Sequence, residues 1–187
     1  MMKIKKLKNF KYKIICIDGF FGSGKTLLAP LLATYQDVQN QIISYNFDNY
    51  IILNYLKKID NLTCKEMIRF NTDEIAFNYE IGRNINFRTM DHTGIKFNPN
   101  YKLDINKIFK NNEKKSIKKL SSKYQTVLNI MTHKTFLNSD LINKIFNKKR
   151  QYTHIIMVRH PVLMFNHYYN FFRNIEKSAK NFRIYIE

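Results

Sequence analysis

The sequence is poor in the residues that staple, kink or anchor a chain: its 187 residues include no Trp, two Cys, three Pro and five Gly. Cys16 and Cys64 form no framework of pairs and carry no metal-ligand spacing. That excludes a disulfide scaffold and a structural zinc site, and it fits reduced thiols in a cytoplasmic protein. Long apolar runs are lacking too. Behind a basic N-terminal arm, residues 1–12, only Ile14 to Ile17 runs unbroken before Asp18, which is too short for the apolar part of a signal peptide or for a membrane span. There is no internal repeat and no Pro- or Ser-rich linker, so residues 1–187, at 44% hydrophobic, read as a single domain with its own core.

Acidic residues are scarce, with 14 Asp+Glu against 32 Lys+Arg and a formal net charge of +18. Such a balance raises nucleic acid, a membrane surface and anionic substrates as partners. Lys outnumbers Arg 25 to 7, however, and Lys, Asn, Ile, Phe and Tyr together supply 100 residues, all types with A- and T-rich codons. Coding bias therefore explains much of the charge, and solvated helix faces such as Lys114, Lys115, Lys118 and Lys119 explain more. The basic residues are not interleaved with an aromatic platform, which argues against nucleic acid. The N-terminal arm suits peripheral contact with a membrane surface.

What is present is an alternation of strand-like and helix-like segments. Lys13–Asp18 (KIICID), Thr126–Met131 (TVLNIM) and Thr153–Val158 (THIIMV) are short apolar runs of the kind found in buried parallel strands, with Gln41–Tyr45 a weaker one. Thr26–Tyr35 predicts a buried helix despite Pro30. Further helices are expected over Asn49–Ile59, Thr63–Tyr79, Asp104–Ser122, Ser139–Asn147 and Pro161–Arg173, the last with proline in its first turn. Tyr168, Tyr169, Phe171 and Phe172 are expected in the core. Residues 82–100 read as a loop or lid, and its Arg83 and Arg88 suit either closure on anionic groups or a plain surface loop.

Three of the five glycines fall in Gly19-Phe20-Phe21-Gly22-Ser23-Gly24-Lys25-Thr26, a full match to G-x-x-x-x-G-K-[ST] between a strand and a helix. Gly19, Gly22 and Gly24 let the backbone curl so that successive N–H groups, Ser23 included, face one anion. Lys25 reaches toward the oxygens of a diphosphate-like group, and the Thr26 hydroxyl suits either Mg²⁺ or a phosphate oxygen. The expected fold is α/β, a three-layer P-loop NTPase-like domain with a mainly parallel central sheet flanked by helices. One thing is absent downstream: no apolar run ends in the carboxylate that nucleotide hydrolases and kinases use, since Asp60 and Asp104 are not strand tips. The later strands end instead in Thr132-His133 and Arg159-His160. Ligands of open α/β sheets bind beyond the carboxyl ends of strands, so His133 and Arg159 are expected beside the loop.

The segments Leu128-Asn129-Ile130-Met131-Thr132-His133, Met157-Val158-Arg159-His160-Pro161 and His167-Tyr168-Tyr169 together resemble the sulfotransferase superfamily, whose strands end in Lys-Thr-His and Arg-x-Pro and whose next helix carries Ser-Tyr-Tyr. The resemblance covers the glycine-rich loop and residues 126–173. It implies a donor, 3′-phosphoadenosine 5′-phosphosulfate (PAPS), held at its 5′-phosphosulfate by Lys25 and Thr26 and at its 3′-phosphate by Arg159. It also implies His133 as general base toward an acceptor hydroxyl on a glycan, a lipid or a small metabolite. Lys25 and His133 are then the catalytic pair, and no metal is called for. Met131 stands where the family often has Lys, His167 stands where it has Ser beside the Arg, and the loop is Gly-Lys-Thr rather than the usual Ser-Gly-Thr type. The family's later 3′-phosphate segment has no counterpart in residues 182–187, where another strand is expected to begin, so the chain is expected to be incomplete or built differently there. The runner-up is a kinase or NTPase using ATP with Mg²⁺, and the third reading is a non-catalytic nucleotide or nucleic-acid binder.

Overall fold

The computed structural model describes residues 10–35, 37–91, 93–109, 113–122, 126–146 and 151–178. The expectations for the basic arm up to residue 9 and for a strand after residue 181 fall outside them. Four strands, β1 (Tyr12–Asp18), β2 (Ile42–Ile43), β3 (Thr126–Met131) and β4 (Tyr152–Ile156), form one sheet in the order β2-β3-β1-β4. Every pairing is parallel, with Ile14 opposite Leu128 on one side and Tyr152 on the other. The chain is thus α/β, a parallel sheet flanked by helices.

The order of the strands places the site. The chain leaves β1 through α1 (Lys25–Leu32), crosses to β2 at the edge, and returns through α2 (Tyr45–Tyr55), α3 (Asn61–Glu80), α4 (Tyr101–Phe109) and α5 (Glu113–Ser122) to β3 beside β1. It then passes through α6 (Ser139–Phe146) to β4 on the other flank of β1, and on into α7 (Pro161–Ser178). Connections diverge on either side of β1, which makes its carboxyl end a switch point where a crevice opens.

The period-2 alternation of strands divides their side chains between two faces. On one, Tyr12, Ile14 and Cys16 of β1 and Leu128 and Ile130 of β3 pack with Phe47 and Ile51 of α2, Ile68 and Ile75 of α3, and Ile142 of α6. On the other, Asn129 donates from Nδ2 to the Ala29 carbonyl at 2.9 Å, which ties α1 to the sheet. Both cysteines are free and buried. Burial pushes the Cys16 thiol up to about 11, so it stays protonated, with its Sγ 3.2 Å from the Thr132 hydroxyl.

Several expectations need correction. α1 is not a buried helix, since Leu27 and Leu31 are exposed and only Lys25 and Ala29 of it are buried. Pro30 removes an intrahelical donor and the helix ends early, at Leu32. The single Lys-rich helix expected over 104–122 is two, α4 and α5, although Lys114, Lys115 and Lys118 do lie on an exposed face. Tyr169, Phe171 and Phe172 are exposed rather than core, because α7 touches the rest of the described chain mainly around the glycine-rich loop. Residues 82–100 are a loop with one short 3₁₀ turn, Ile95–Phe97. No helix among the described residues is long and apolar enough to cross a membrane.

Candidate functional site

β1 runs directly into the glycine-rich loop. Gly19, Gly22 and Gly24 have φ of 133°, 77° and 101°, a region L side chains rarely adopt. A Cβ at Gly19 would collide with the Met157 carbonyl beyond β4, and one at Gly22 would collide with the His167 ring. Gly24 is the N-cap of α1 and its carbonyl accepts from Leu27 N at 3.0 Å, which sets the positive N-terminal end of the helix directly after the loop. Ser23 Oγ is buried with no hydrogen-bond partner, an orphaned polar atom inside the cradle. Lys25 is buried and folds back on the loop, its Nζ donating to Gly19 O at 2.5 Å and Phe20 O at 2.8 Å. Burial depresses its ammonium pKa, while Asp18 and Asp48 partly oppose that shift. Thr26 lies exposed in the first turn of α1.

Two carboxylates that the sequence did not single out sit beneath this loop. Asp18, the last residue of β1, is wholly buried. It accepts from Gly19 N at 2.7 Å, from Thr135 Oγ1 and Phe136 N at 2.6 Å each, and lies 3.3 Å from His154 Nε2. Burial pushes its carboxyl upward, but the hydrogen bonds from His154, Thr135 and the two backbone amides outweigh that and hold it below the usual carboxylate value. Asp48, in the first turn of α2, accepts from His133 N at 2.9 Å and Lys134 N at 2.7 Å, and its Oδ2 is 3.2 Å from His133 Nδ1. Ser44 begins this arrangement: its N–H donates to Met131 O at the end of β3, and its hydroxyl caps α2 at Phe47 N.

The residues expected at the site do come together. His133, just past β3, stacks on Phe21 of the loop at 6.3 Å between centroids. Arg159, just past β4, donates from Nη1 to Gly22 O at 3.0 Å. His167 packs on Gly22 and lies 5.8 Å from the Phe21 ring. The Tyr168 hydroxyl accepts from Phe21 N at 3.2 Å, so α7 is docked onto the loop by backbone as well as rings. Met131 is buried, which puts no cation at that position. The two arginines of the 82–100 loop do not meet the crevice: Arg83 is 4.0 Å from Glu113 and 3.5 Å from Asn78, and Arg88 is exposed. Asp60 caps α3 at Thr63 N, and Asp104 is held by Asn98 and Lys107, so neither belongs to the site.

The arrangement gathers one buried lysine, one arginine, a glycine-rich loop and a carboxylate-backed histidine at the carboxyl ends of β1, β3 and β4; contrary to the expectation that the loop's successive amides face an anion, Gly19 N donates to Asp18, Phe21 N to Tyr168 and Ser23 N to Phe20 O. Chemically it is suited to gripping an anionic group and to taking a proton next to it. No family model, curated protein or solved structure matches the chain.

Proposed function

We propose that the chain is a P-loop NTPase-like transferase of the sulfotransferase type, acting with PAPS on an acceptor hydroxyl. The observation that carries this reading is the convergence of Lys25, Arg159 and His133 on one glycine-rich loop, with the His133 ring backed by Asp48. The loop suits an anionic group through its buried Lys25 and the partnerless Ser23 hydroxyl beside it, with Gly19 and Gly22 packed too closely on the Met157 carbonyl and the His167 ring to carry a side chain. Bound there, PAPS supplies an activated sulfuryl group, whose transfer forms the acceptor's O–S bond and breaks the bond from sulfur to the 5′-phosphate oxygen. Asp48 accepts at Nδ1 of His133, which favours the tautomer whose Nε2 takes the hydroxyl proton. Lys25 and the first-turn N–H groups of α1 stabilise the charge left on the phosphate. Arg159, at the edge of the loop, adds a fixed cation for a second anionic group of the donor.

A second reading, phosphoryl transfer from ATP with Mg²⁺, draws on the intact Gly24-Lys25-Thr26 and on the field of Asp18 and Asp48 at Lys25. Both carboxylates are, however, already committed to backbone amides and histidines, which favours the first reading. Radiolabelled PAPS incubated with the protein and a mixture of saccharides, phenols and fatty alcohols tests the proposal. Label is expected to move to one acceptor class, with His133→Ala lowering turnover while donor affinity is kept and Lys25→Ala abolishing donor binding. Activity unchanged in both variants contradicts it.

A further inference from the structure

We infer that the outer face of α7 is a self-association surface, on which a second copy of this chain docks its own α7 antiparallel to make a two-fold dimer. This surface is separate from the donor and acceptor chemistry proposed above and does not depend on it.

At 3.6 residues per turn, Val162, Phe165, Tyr169 and Phe172 fall on one side of α7, and they are 59%, 70%, 56% and 46% exposed. His167, Tyr168 and Phe171 fall on the other side. There the Tyr168 hydroxyl accepts from Phe21 N at 3.2 Å, the His167 ring packs on Gly22, and the Phe171 ring lies 4.7 Å from that of Phe21. The docked side holds the helix in place and leaves the apolar stripe turned away from the rest of the described chain. Large apolar side chains gathered in one stripe mark an interaction surface, unlike exposed residues scattered singly.

The stripe is spaced 3-4-3 in sequence, the spacing of a helix seam, so the occupant it suits is another helix. It also reads the same in both directions. A two-fold axis at position 167 sets Val162 of one copy opposite Phe172 of the other and Phe165 opposite Tyr169, the self-complementary pattern of an isologous contact. The antiparallel pairing opposes the two helix dipoles as well.

Charge favours a second copy in the same way. Residues 161–172 hold no Lys, Arg, Asp or Glu, in a chain of net charge +18. Two such chains repel at long range, and this uncharged stretch lets them meet without setting cation against cation. Across the axis Arg173 falls opposite Pro161, and Arg159 is turned to Gly22 O at 3.0 Å. Helices that lie in an anionic membrane surface carry Lys or Arg beside the apolar stripe, which residues 161–172 do not. Covering the stripe removes roughly 400 Å² of apolar surface per copy and, with the flanking Pro161 and Asn166, about 1,000 Å² in all, the lower bound for a specific interface. The dimer is therefore expected to be of micromolar affinity.

Sedimentation velocity of the full chain from about 1 to about 500 µM tests this, and the parent is expected to pass from monomer to dimer with a Kd of about 1–100 µM. Phe165→Glu and Tyr169→Glu, which set a new charge into the apolar contact, are expected to weaken the dimer by about 10-fold or more. Leu31→Glu, at an exposed position on α1, is expected to leave it unchanged. Thermal melts establish that the variants fold. Because Cys16 and Cys64 are buried, a short bis-maleimide reads the register directly: it is expected to link Phe165→Cys protein to Tyr169→Cys protein and not to Leu31→Cys protein. A parent that stays monomeric throughout overturns the inference, even if it binds phosphatidylserine vesicles instead. So does a dimer that the folded Glu variants leave intact, one that Leu31→Glu dissolves, or the absence of the expected cross-link.

Discussion

Asp48 grips His133 at two points, accepting its backbone N–H at 2.9 Å and facing its ring Nδ1 at 3.2 Å, across 85 residues of sequence. One carboxylate from α2 thereby fixes both where the chain turns after β3 and which ring nitrogen faces the crevice. Lys134 N donates to the same group at 2.7 Å, so Asp48 closes the β3 end of the site much as Asp18 closes the β1 end. Together they form two carboxylate–histidine pairs beneath the loop, Asp48 with His133 and Asp18 with His154.

Under the proposed function Asp48 is a positioning residue, and replacing it separates structure from chemistry. Asp48→Asn leaves one buried amide donor without an acceptor and lowers unfolding free energy by about 1–3 kcal/mol. Turnover falls by about 100-fold with donor KM little changed. Urea titration and steady-state kinetics read the two effects. A stability loss with kcat unchanged means Asp48 serves the fold alone.

Gly22 and His167 are coupled by contact. An alanine Cβ at Gly22 meets the His167 ring, and φ of 77° adds backbone strain. Gly22→Ala is expected to destabilise by about 1–3 kcal/mol, and His167→Ala to return part of that loss in the double variant, giving a coupling of about 1 kcal/mol by denaturant titration. Strict additivity of the two changes contradicts the docking of α7 on the loop.

Asp18 gives the fold a pH dependence of known sign. Its folded pKa lies below the ordinary value of 3.8, so the unfolded chain binds the proton more tightly. The stabilisation is fully present above that value and is lost as pH falls through the lower folded pKa. Unfolding free energy followed from about pH 7 to about pH 2 should drop more steeply in the parent than in Asp18→Asn. Parallel curves rule out Asp18 as a contributor.

What the sequence made legible was local. The runs KIICID and TVLNIM announce buried parallel strands because both faces of those strands are covered, and the glycine spacing announces a loop that only positive φ can close. His133 and Arg159 lie beside the loop because strand tips of an open parallel sheet converge by topology. Asp48 was not visible, since it lies on a helix rather than a strand tip and its partners are 85 and 86 residues away. Asp18 carried a signal: a carboxylate closing an apolar run just before Gly19 must be buried, and a buried carboxylate needs several donors. The misplacement of Tyr169, Phe171 and Phe172 in the core came from apolar content alone, which does not tell a helix that packs on the sheet from one that rests on a loop.

Lys25 carries the binding claim. Its Nζ is held against Gly19 O and Phe20 O, and burial lowers its pKa, so a bound anion that favours its charged form should stabilise the fold. At about 100 times the dissociation constant, a ligand that binds only the folded state contributes about 2.7 kcal/mol, which a thermal melt resolves. The direct measurement is the melting temperature in metal-free 3′-phosphoadenosine 5′-phosphate (PAP), in ATP with Mg²⁺ and in short DNA, for the parent and for Lys25→Ala. The account predicts that PAP stabilises the parent more than ATP with Mg²⁺ or DNA does and leaves Lys25→Ala unmoved. Greater stabilisation by ATP with Mg²⁺, or an equal PAP shift in both proteins, contradicts it.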